Sequence, residues 1–141
     1  VLDLGCGWGE LLLRILDAVP GAVATGIDLS AADLARGRDS AAARGLAGRV
    51  SFIEGSAVGT THGPADLVLC VGASHALSEA SPAQATIDAL AELRRLVNPG
   101  GRVFFGECFW EHPPTPIELA AVWEGSTAED HYDLAAPAGV G

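Results

Sequence analysis

Val1-Leu2-Asp3-Leu4-Gly5-Cys6-Gly7-Trp8-Gly9-Glu10 opens the chain. It reads as the end of an apolar strand, an acidic residue, glycine at every second position, and then the start of a helical pattern. Side chains on such a turn would keep a ligand away from the backbone, and some of its positions call for positive φ. The helix start behind the turn presents amide groups that have no partner inside the helix. The spacing is G-x-G-x-G. In the dinucleotide fingerprint G-x-G-x-x-G the third glycine would fall on Glu10, where a carboxylate repels a pyrophosphate. The turn therefore suits a ligand without phosphates. Read without a ligand, it is a structural glycine turn.

Working outward, apolar runs alternate with helical patterns, the signature of a parallel sheet with crossover helices. Glu10 to Val19 is predicted helical, with Leu12, Ile15, Leu16 and Val19 on the buried face, and Pro20-Gly21 ends it. Ala22 to Ile27 is the second strand, finishing on Asp28. Ser30 caps a helix that runs to about Arg44, with Asp33 placed as in a capping box and Gly45 as the left-handed stop. Val50 to Ile53 and Leu67 to Val71 are the third and fourth strands, the latter apolar throughout, as a strand buried on both faces is. Pro82 to Val97 is a helix burying Ile87, Leu90, Leu93 and Val97. Asn98-Pro99-Gly100-Gly101 is a turn, and Arg102 to Cys108 the fifth strand. A proline-rich loop, His112 to Pro116, leads to a short helix, Ile117 to Trp123. The pattern predicts an α/β fold with a doubly wound, mostly parallel sheet. Residues 1–141 form a single domain whose end, from about 125 to 141, is weakly ordered. The chain begins inside an apolar run, so it reads as a piece with its true N-terminus missing. The open border would leave Val103, Phe104 and Phe105 offering unpaired backbone, and the 141 residues alone are expected to be poorly soluble and catalytically weak.

The formal charge of −10, from 18 acidic and 8 basic residues, argues against nucleic acid as substrate. The only adjacent basic pair, Arg94-Arg95, falls late in a helix, where cations suit the dipole. No run of about 18 apolar residues predicts a membrane span. Three distant cysteines, Cys6, Cys70 and Cys108, form neither a disulfide framework nor a zinc spacing, which fits a reducing cytoplasm. No metal site is expected, and His62, His112 and His131 have no partner spacing that suggests one. The sequence leaves the oligomeric state open.

Gly26-Ile27-Asp28-Leu29-Ser30 adds a second signal. A carboxylate ending the second strand, 19 residues after Gly9, can accept hydrogen bonds from both hydroxyls of a ribose. Alone, it is equally an acidic residue favoured by the following helix dipole. Together, Asp3 to Gly9, Asp28, Glu54-Gly55-Ser56-Ala57, Ala65-Asp66-Leu67-Val68 and Leu96-Val97-Asn98-Pro99-Gly100-Gly101-Arg102 resemble, in order, the motifs of class I S-adenosylmethionine-dependent methyltransferases. The resemblance spans roughly residues 1 to 111 and implies a Rossmann-like sheet of strand order 3-2-1-4-5. It also implies truncation at both ends, because the helix before the first strand and the last two strands of the family's sheet are missing. Val71 to Ala76 and Gly106 to Pro114 are similar to a subgroup of bacterial small-molecule methyltransferases.

The resemblance implies S-adenosyl-L-methionine as cofactor and a small-molecule acceptor. It implies that Asp3, Gly5, Cys6, Gly7 and Gly9 hold the methionine part and approach the ribose. Asp28 binds the ribose hydroxyls, Leu29 packs on the adenine, and Ser56 and Ala57 lie at its edge. Ser56 stands where many relatives have Asp. Cys70 to Ala73, including Gly72, pass the sulfonium. His75 and Glu107, at the carboxyl ends of the fourth and fifth strands, are the candidate catalytic groups. An imidazole can take a proton near neutral pH, and a carboxylate can orient an acceptor. The alternatives are a hydrogen-bonding loop histidine and a carboxylate bound to backbone amides. Trp8, Phe109 and Trp110 could wall an apolar acceptor pocket or serve as core. A nicotinamide-dependent dehydrogenase, and a non-catalytic cofactor-binding module or inactive fragment, remain as rival readings.

Overall fold

The strand Leu2–Leu4 runs directly into the glycine turn, and the rest of the sheet is built around it. The computed structural model describes residues 1–78, 80–122, 127–128 and 132–133. In chain order the elements are β1 (Leu2–Leu4), α1 (Glu10–Ala18), β2 (Ala24–Asp28), α2 (Ala31–Ala43), β3 (Val50–Glu54) and β4 (Ala65–Val71). A 3-10 turn (Ser74–Ala76), α3 (Pro82–Leu96), β5 (Val97–Gly106), β6 (Phe109–Trp110), α4 (Pro116–Val122) and β7 (Tyr132–Asp133) follow. The main sheet is parallel, in the order β3-β2-β1-β4-β5. That is the order expected from the sequence. The strand order reverses between β1 and β4, so their carboxyl ends open the crevice in which such sheets place ligands.

Each sheet face carries its own core. Leu2, Leu4, Ile27, Val68 and Cys70 pack with Ala89, Leu93 and Leu96 of α3. Leu12, Leu13 and Leu16 of α1 and Leu34 and Ala41 of α2 pack with Phe52 and Leu69 on the other face. Because Val68 and Cys70 belong to one core and Leu69 to the other, β4 is buried on both faces, which is why it reads as a continuous apolar run. Each fully buried leucine contributes about 1.5–3 kcal/mol.

Several expectations needed correction. In α1 the buried set includes Leu13, whereas Val19 is exposed beyond the end of the helix. Arg49 determines that end: its guanidinium donates to the carbonyls of Leu16, Val19 and Ala22, all at 2.8–2.9 Å. In α3 the buried stripe is Ala85, Ala89, Leu93 and Leu96, and Ile87 and Leu90 are exposed. Leu93 is buried as expected, but the stripe it belongs to runs through Ala85, Ala89 and Leu96 rather than through Ile87 and Leu90. β2 starts at Ala24, two residues later than expected. Asn98 to Gly101 is not a turn before β5 but an irregularity within it. The pairing jumps from Ala65–Val97 to Leu67–Arg102, and Asn98 Nδ2 donates to Asp66 Oδ1 at 2.8 Å. The short parallel pair β6–β7 was not foreseen. Trp123, His131 and most of the segment 125–141 lie outside the described residues.

β5 is the last strand of the sheet, with Val103 and Phe104 exposed and Phe105 partly buried against the core. Among the described residues no helix is long and apolar enough to cross a membrane. None of their His, Cys, Asp and Glu side chains group in a way that could hold a metal ion.

Candidate active site

The site begins where β1 runs out. The amides of Gly5 and Cys6 both donate to the Ile27 carbonyl, at 2.9 and 3.1 Å, and fold the turn onto the end of β2. Gly9 then starts α1 as its N-cap, at φ 69 and ψ 25, with no side-chain cap over the first amides of the helix.

The three glycines of the turn do different work. A Cβ on Gly5 would lie 2.4 Å from the Ala73 Cβ, and one on Gly9 would lie 2.5 Å from the Phe52 ring. Those two glycines allow close packing. Gly7, at φ 53, is different: a Cβ there meets nothing within 4 Å. The space beside Gly7 is unfilled by protein, as a ligand's approach requires.

Asp28 stands opposite. Its Oδ2 accepts the Gly7 amide at 2.7 Å and its Oδ1 the Ser30 amide at 2.8 Å. Each oxygen keeps a further lone pair. The carboxylate therefore fixes the turn and can still accept from two hydroxyls. Ser30 Oγ accepts the Asp33 amide and caps α2 as expected, but the box is not closed by Asp33, because the Ser30 amide goes to Asp28.

Asp3 is only 5% exposed, on the central strand. Burial, and secondly the negative charge of Asp28, push its carboxyl up to about 6. Cys6 and Cys70 are pushed up to about 12, chiefly by burial, so both are thiols at neutral pH.

Other candidates fall in less direct places. The Cys6 side chain packs over Gly26, where a Cβ would be 2.7 Å from its Sγ, and so braces the turn from behind. Cys70 and Ala57 lie in the core, so only their backbone can face a ligand. Leu29 is 71% exposed at the mouth. Ser56 is exposed, and its Oγ accepts the Val58 amide at 3.1 Å. Gly72 is exposed, and its amide donates to the Gly106 carbonyl at 2.7 Å.

On the far side, Glu107 Oε1 accepts the Ser74 amide at 2.7 Å. His75 is exposed on the 3-10 turn, with no hydrogen bond or ion pair among the described residues. Trp8 is partly exposed under the Arg36 guanidinium, 4.2 Å from its ring centre. Phe109 is exposed and Trp110 half-buried, so neither belongs to the two cores.

Glu10 requires a revision. Its two oxygens meet Arg14 at 2.8 Å and Arg44 at 2.6 Å, and those bonds hold its carboxyl below the usual range. A paired carboxylate repels a phosphate less than the sequence implied. Sequence reading also passed over Gly26 and Gly37, whose missing side chains admit Cys6 and the Phe52 ring. Glycine inside a strand or helix is itself a sign of close approach.

A glycine turn beside an unfilled space, a carboxylate at the end of the neighbouring strand and a crevice at the order reversal define an open α/β protein built to hold a nucleoside-bearing ligand. The Methyltransferase domain family matches residues 1–101. The chain is 31% identical to the uncharacterized protein YjhP of Escherichia coli over 135 residues, covering 95% of this chain and 52% of that protein. It is 36% identical to the demethylmenaquinone methyltransferase of Thermus thermophilus over 119 residues, covering 82% and 48%. A SAM-dependent methyltransferase from Thiobacillus denitrificans, solved with S-adenosyl-L-homocysteine, superposes with a TM-score of 0.70 at 37% identity, covering 95% of this chain and 52% of that one. Another, from Geobacter sulfurreducens with the same ligand, gives 0.72 at 31% identity, covering 95% and 51%. The chain belongs to the methyltransferase domain family, within the class I S-adenosylmethionine-dependent methyltransferases. It spans about half the length of these relatives.

Proposed function

We propose that the protein transfers a methyl group from S-adenosyl-L-methionine to a small-molecule acceptor. The observation that carries this reading is the pairing of the unfilled space at Gly7 with the Asp28 carboxylate that grips the same turn. When bound, the cofactor supplies a methyl group on a sulfonium that is already a good leaving group. The chain's own task is then alignment and exclusion of water, a proximity effect. Asp28 receives the ribose hydroxyls, the backbone around Gly5, Gly7 and Gly9 admits the methionine part beside Asp3, and Leu29, Ser56 and the Ala57 backbone border the adenine. Gly72 and the backbone at Cys70 border the path of the transferred methyl.

His75 is the group placed to take a proton from an acceptor that must lose one: it is exposed on the turn after β4, at the carboxyl edge of the sheet. Phe109, Trp110 and Trp8 offer apolar surface toward an acceptor. The acidic balance of the chain favours a neutral or cationic acceptor over nucleic acid.

Calorimetric titration with S-adenosylhomocysteine and, in parallel, with NAD tests the cofactor. Incubation with methyl-labelled S-adenosylmethionine and a panel of small molecules tests the transfer. Saturable binding of the first ligand, none of the second, and label in a small molecule are expected. Binding of NAD alone would make the site that of a dehydrogenase. Binding of S-adenosylhomocysteine without transfer to any acceptor would leave a cofactor-binding module.

A further inference from the structure

We infer that Glu107 is a positioning residue: it holds in place the turn after β4 that faces the glycine turn across the crevice, and it acts through the Ser74 amide. The inference rests on the methyl-transfer reading and assigns Glu107 a role within that site.

Two consecutive residues at the end of β5 grip alternate amides of the chain leaving β4. The Gly106 carbonyl accepts the Gly72 amide at 2.7 Å, and the Glu107 carboxylate accepts the Ser74 amide at 2.7 Å. Ala73, between them, is pressed against the glycine turn, with its Cβ 2.4 Å from the point a Gly5 side chain would occupy. The segment is thus held from β5 on one side and from the β1 turn on the other. Ala73, Ser74 and Leu77 are all buried, while His75, at the tip, is exposed.

The need for a distant acceptor follows from the local structure. Ser74 is the first residue of the 3-10 turn, whose internal bonds run from the Ala76 amide to the Ala73 carbonyl and from the Leu77 amide to the Ser74 carbonyl, both at 2.9 Å. The first amides of such a turn have no internal acceptor. The N-cap residue here is Ala73, which makes no side-chain cap. Ser74 is 7% exposed, so water cannot readily take the place of a partner. Glu107 supplies that partner from the neighbouring strand. A carboxylate spent in this way sets where His75 and the Gly72 backbone stand relative to the cofactor.

Three variants separate geometry from charge. Glu107→Gln keeps an acceptor oxygen at the same reach and loses the charge. Glu107→Asp keeps the charge and falls one methylene short. Glu107→Ala loses both. Amide hydrogen exchange at Ser74 and calorimetry with S-adenosylhomocysteine are the readouts, with thermal unfolding as the check that each variant folds. In E107A and E107D the Ser74 amide should exchange at least about tenfold faster and the ligand should bind about tenfold more weakly, the scale of one lost bond to a charged group. E107Q should restore most of both, and its methyl transfer should keep the wild-type pH profile. Wild-type exchange at Ser74 in E107A would overturn the inference. So would E107D matching wild type while E107Q fails, because charge and not geometry would then be what the site uses. If E107A does not fold, E107Q and E107D still decide. Failure of the wild-type protein to bind S-adenosylhomocysteine would overturn the functional reading instead and leave the exchange result standing.

Discussion

The two walls of the crevice are built by different means. The wall made by the β1 turn, Asp28 and the start of α1 is fastened by buried packing and by backbone bonds at several points: Gly5 and Cys6 to Ile27, Gly7 and Ser30 to Asp28, Gly9 against Phe52. The wall made by the ends of β4 and β5 is held by bonds from Gly106 and Glu107 and by the buried Ala73, Ser74 and Leu77, and its outer part is exposed at His75, Cys108 and Phe109. The first wall is therefore rigidly built, and the second presents more exposed side chains, of the kind that can vary without disturbing a fold.

The largest expected effect sets Gly9 against Gly7. The Phe52 ring is wedged between two glycines: a Cβ on Gly9 would lie 2.5 Å from it, and one on Gly37 2.8 Å. The ring cannot yield to either. Gly9→Ala should therefore cost overpacking of about 1–3 kcal/mol plus about 1–2 kcal/mol for a left-handed alanine. Gly7→Ala carries the left-handed cost alone, yet its new methyl enters the ligand's space. Urea unfolding and calorimetry with S-adenosylhomocysteine should place the stability loss in G9A and the binding loss in G7A. A G7A protein that binds normally would show that the turn is only structural.

Asp3 sharpens the contrast, since the well-fastened wall contains a carboxylate that is uncomfortable when charged. Its folded value is about 6 against an ordinary 3.8. Between those values the native state holds a proton that the unfolded chain has released, so this contribution to stability is complete below about pH 3.8 and is lost as pH rises through 6. The loss is about 3 kcal/mol. Urea unfolding of wild type and Asp3→Asn across that window should give a stability difference that changes by about this amount, with wild type losing ground as pH rises. Parallel curves would mean that Asp3 titrates normally.

Next in size is Asp28→Ala, which removes one amide bond to the turn, one to the start of α2 and the proposed ribose acceptor. Loss of a charged acceptor costs about 1.5–3 kcal/mol of binding, roughly ten- to a hundredfold in affinity. Asp28→Asn, with one acceptor oxygen left but an NH₂ facing an amide donor, should fall between. Unchanged affinity for S-adenosylhomocysteine in D28A would remove the ribose assignment.

The same contrast explains what the sequence could reveal. The glycine turn, Asp28 and the Ser30 cap were legible because each depends on local chemistry: a strand ending in glycines, a carboxylate at a fixed place, a hydroxyl three residues before an amide. The strand order, which is not local, came through the family resemblance. The division of labour among Gly5, Gly7 and Gly9 was not legible, because it is set by Ala73 and Phe52, which arrive from distant parts of the chain. A carboxylate bound to backbone amides was one of the readings open for Glu107, and the structure shows that bond, but its partner Ser74 lies 33 residues away and could not be named from the sequence. In α3 the large residues Ile87 and Leu90 suggested one face, and the buried face is that of Ala85, Ala89, Leu93 and Leu96. Periodicity gives the spacing of a buried stripe, but which phase is buried depends on the partner surface.

The smallest expected effect belongs to Arg36, and it tests whether the fastened wall owes its order to packing or to its surface contacts. Residues 36 and 37 of α2 both meet the turn. The Gly37 backbone comes so close that a Cβ there would lie 2.8 Å from the Trp8 carbonyl, whereas Arg36 stacks on the partly exposed Trp8 ring at 4.2 Å. A cation over an exposed aromatic ring is worth about 0.5–1 kcal/mol. Arg36→Ala should therefore lose no more than about that in urea unfolding, and Arg36→Lys, which keeps a charge over the ring, should lose less. Gly37→Ala should lose several times as much, because it drives a methyl into the Phe52 ring and the Trp8 carbonyl together. If R36A were instead as damaging as G37A, the turn would be held by its exposed stack, and the two walls would differ less than their buried contacts indicate.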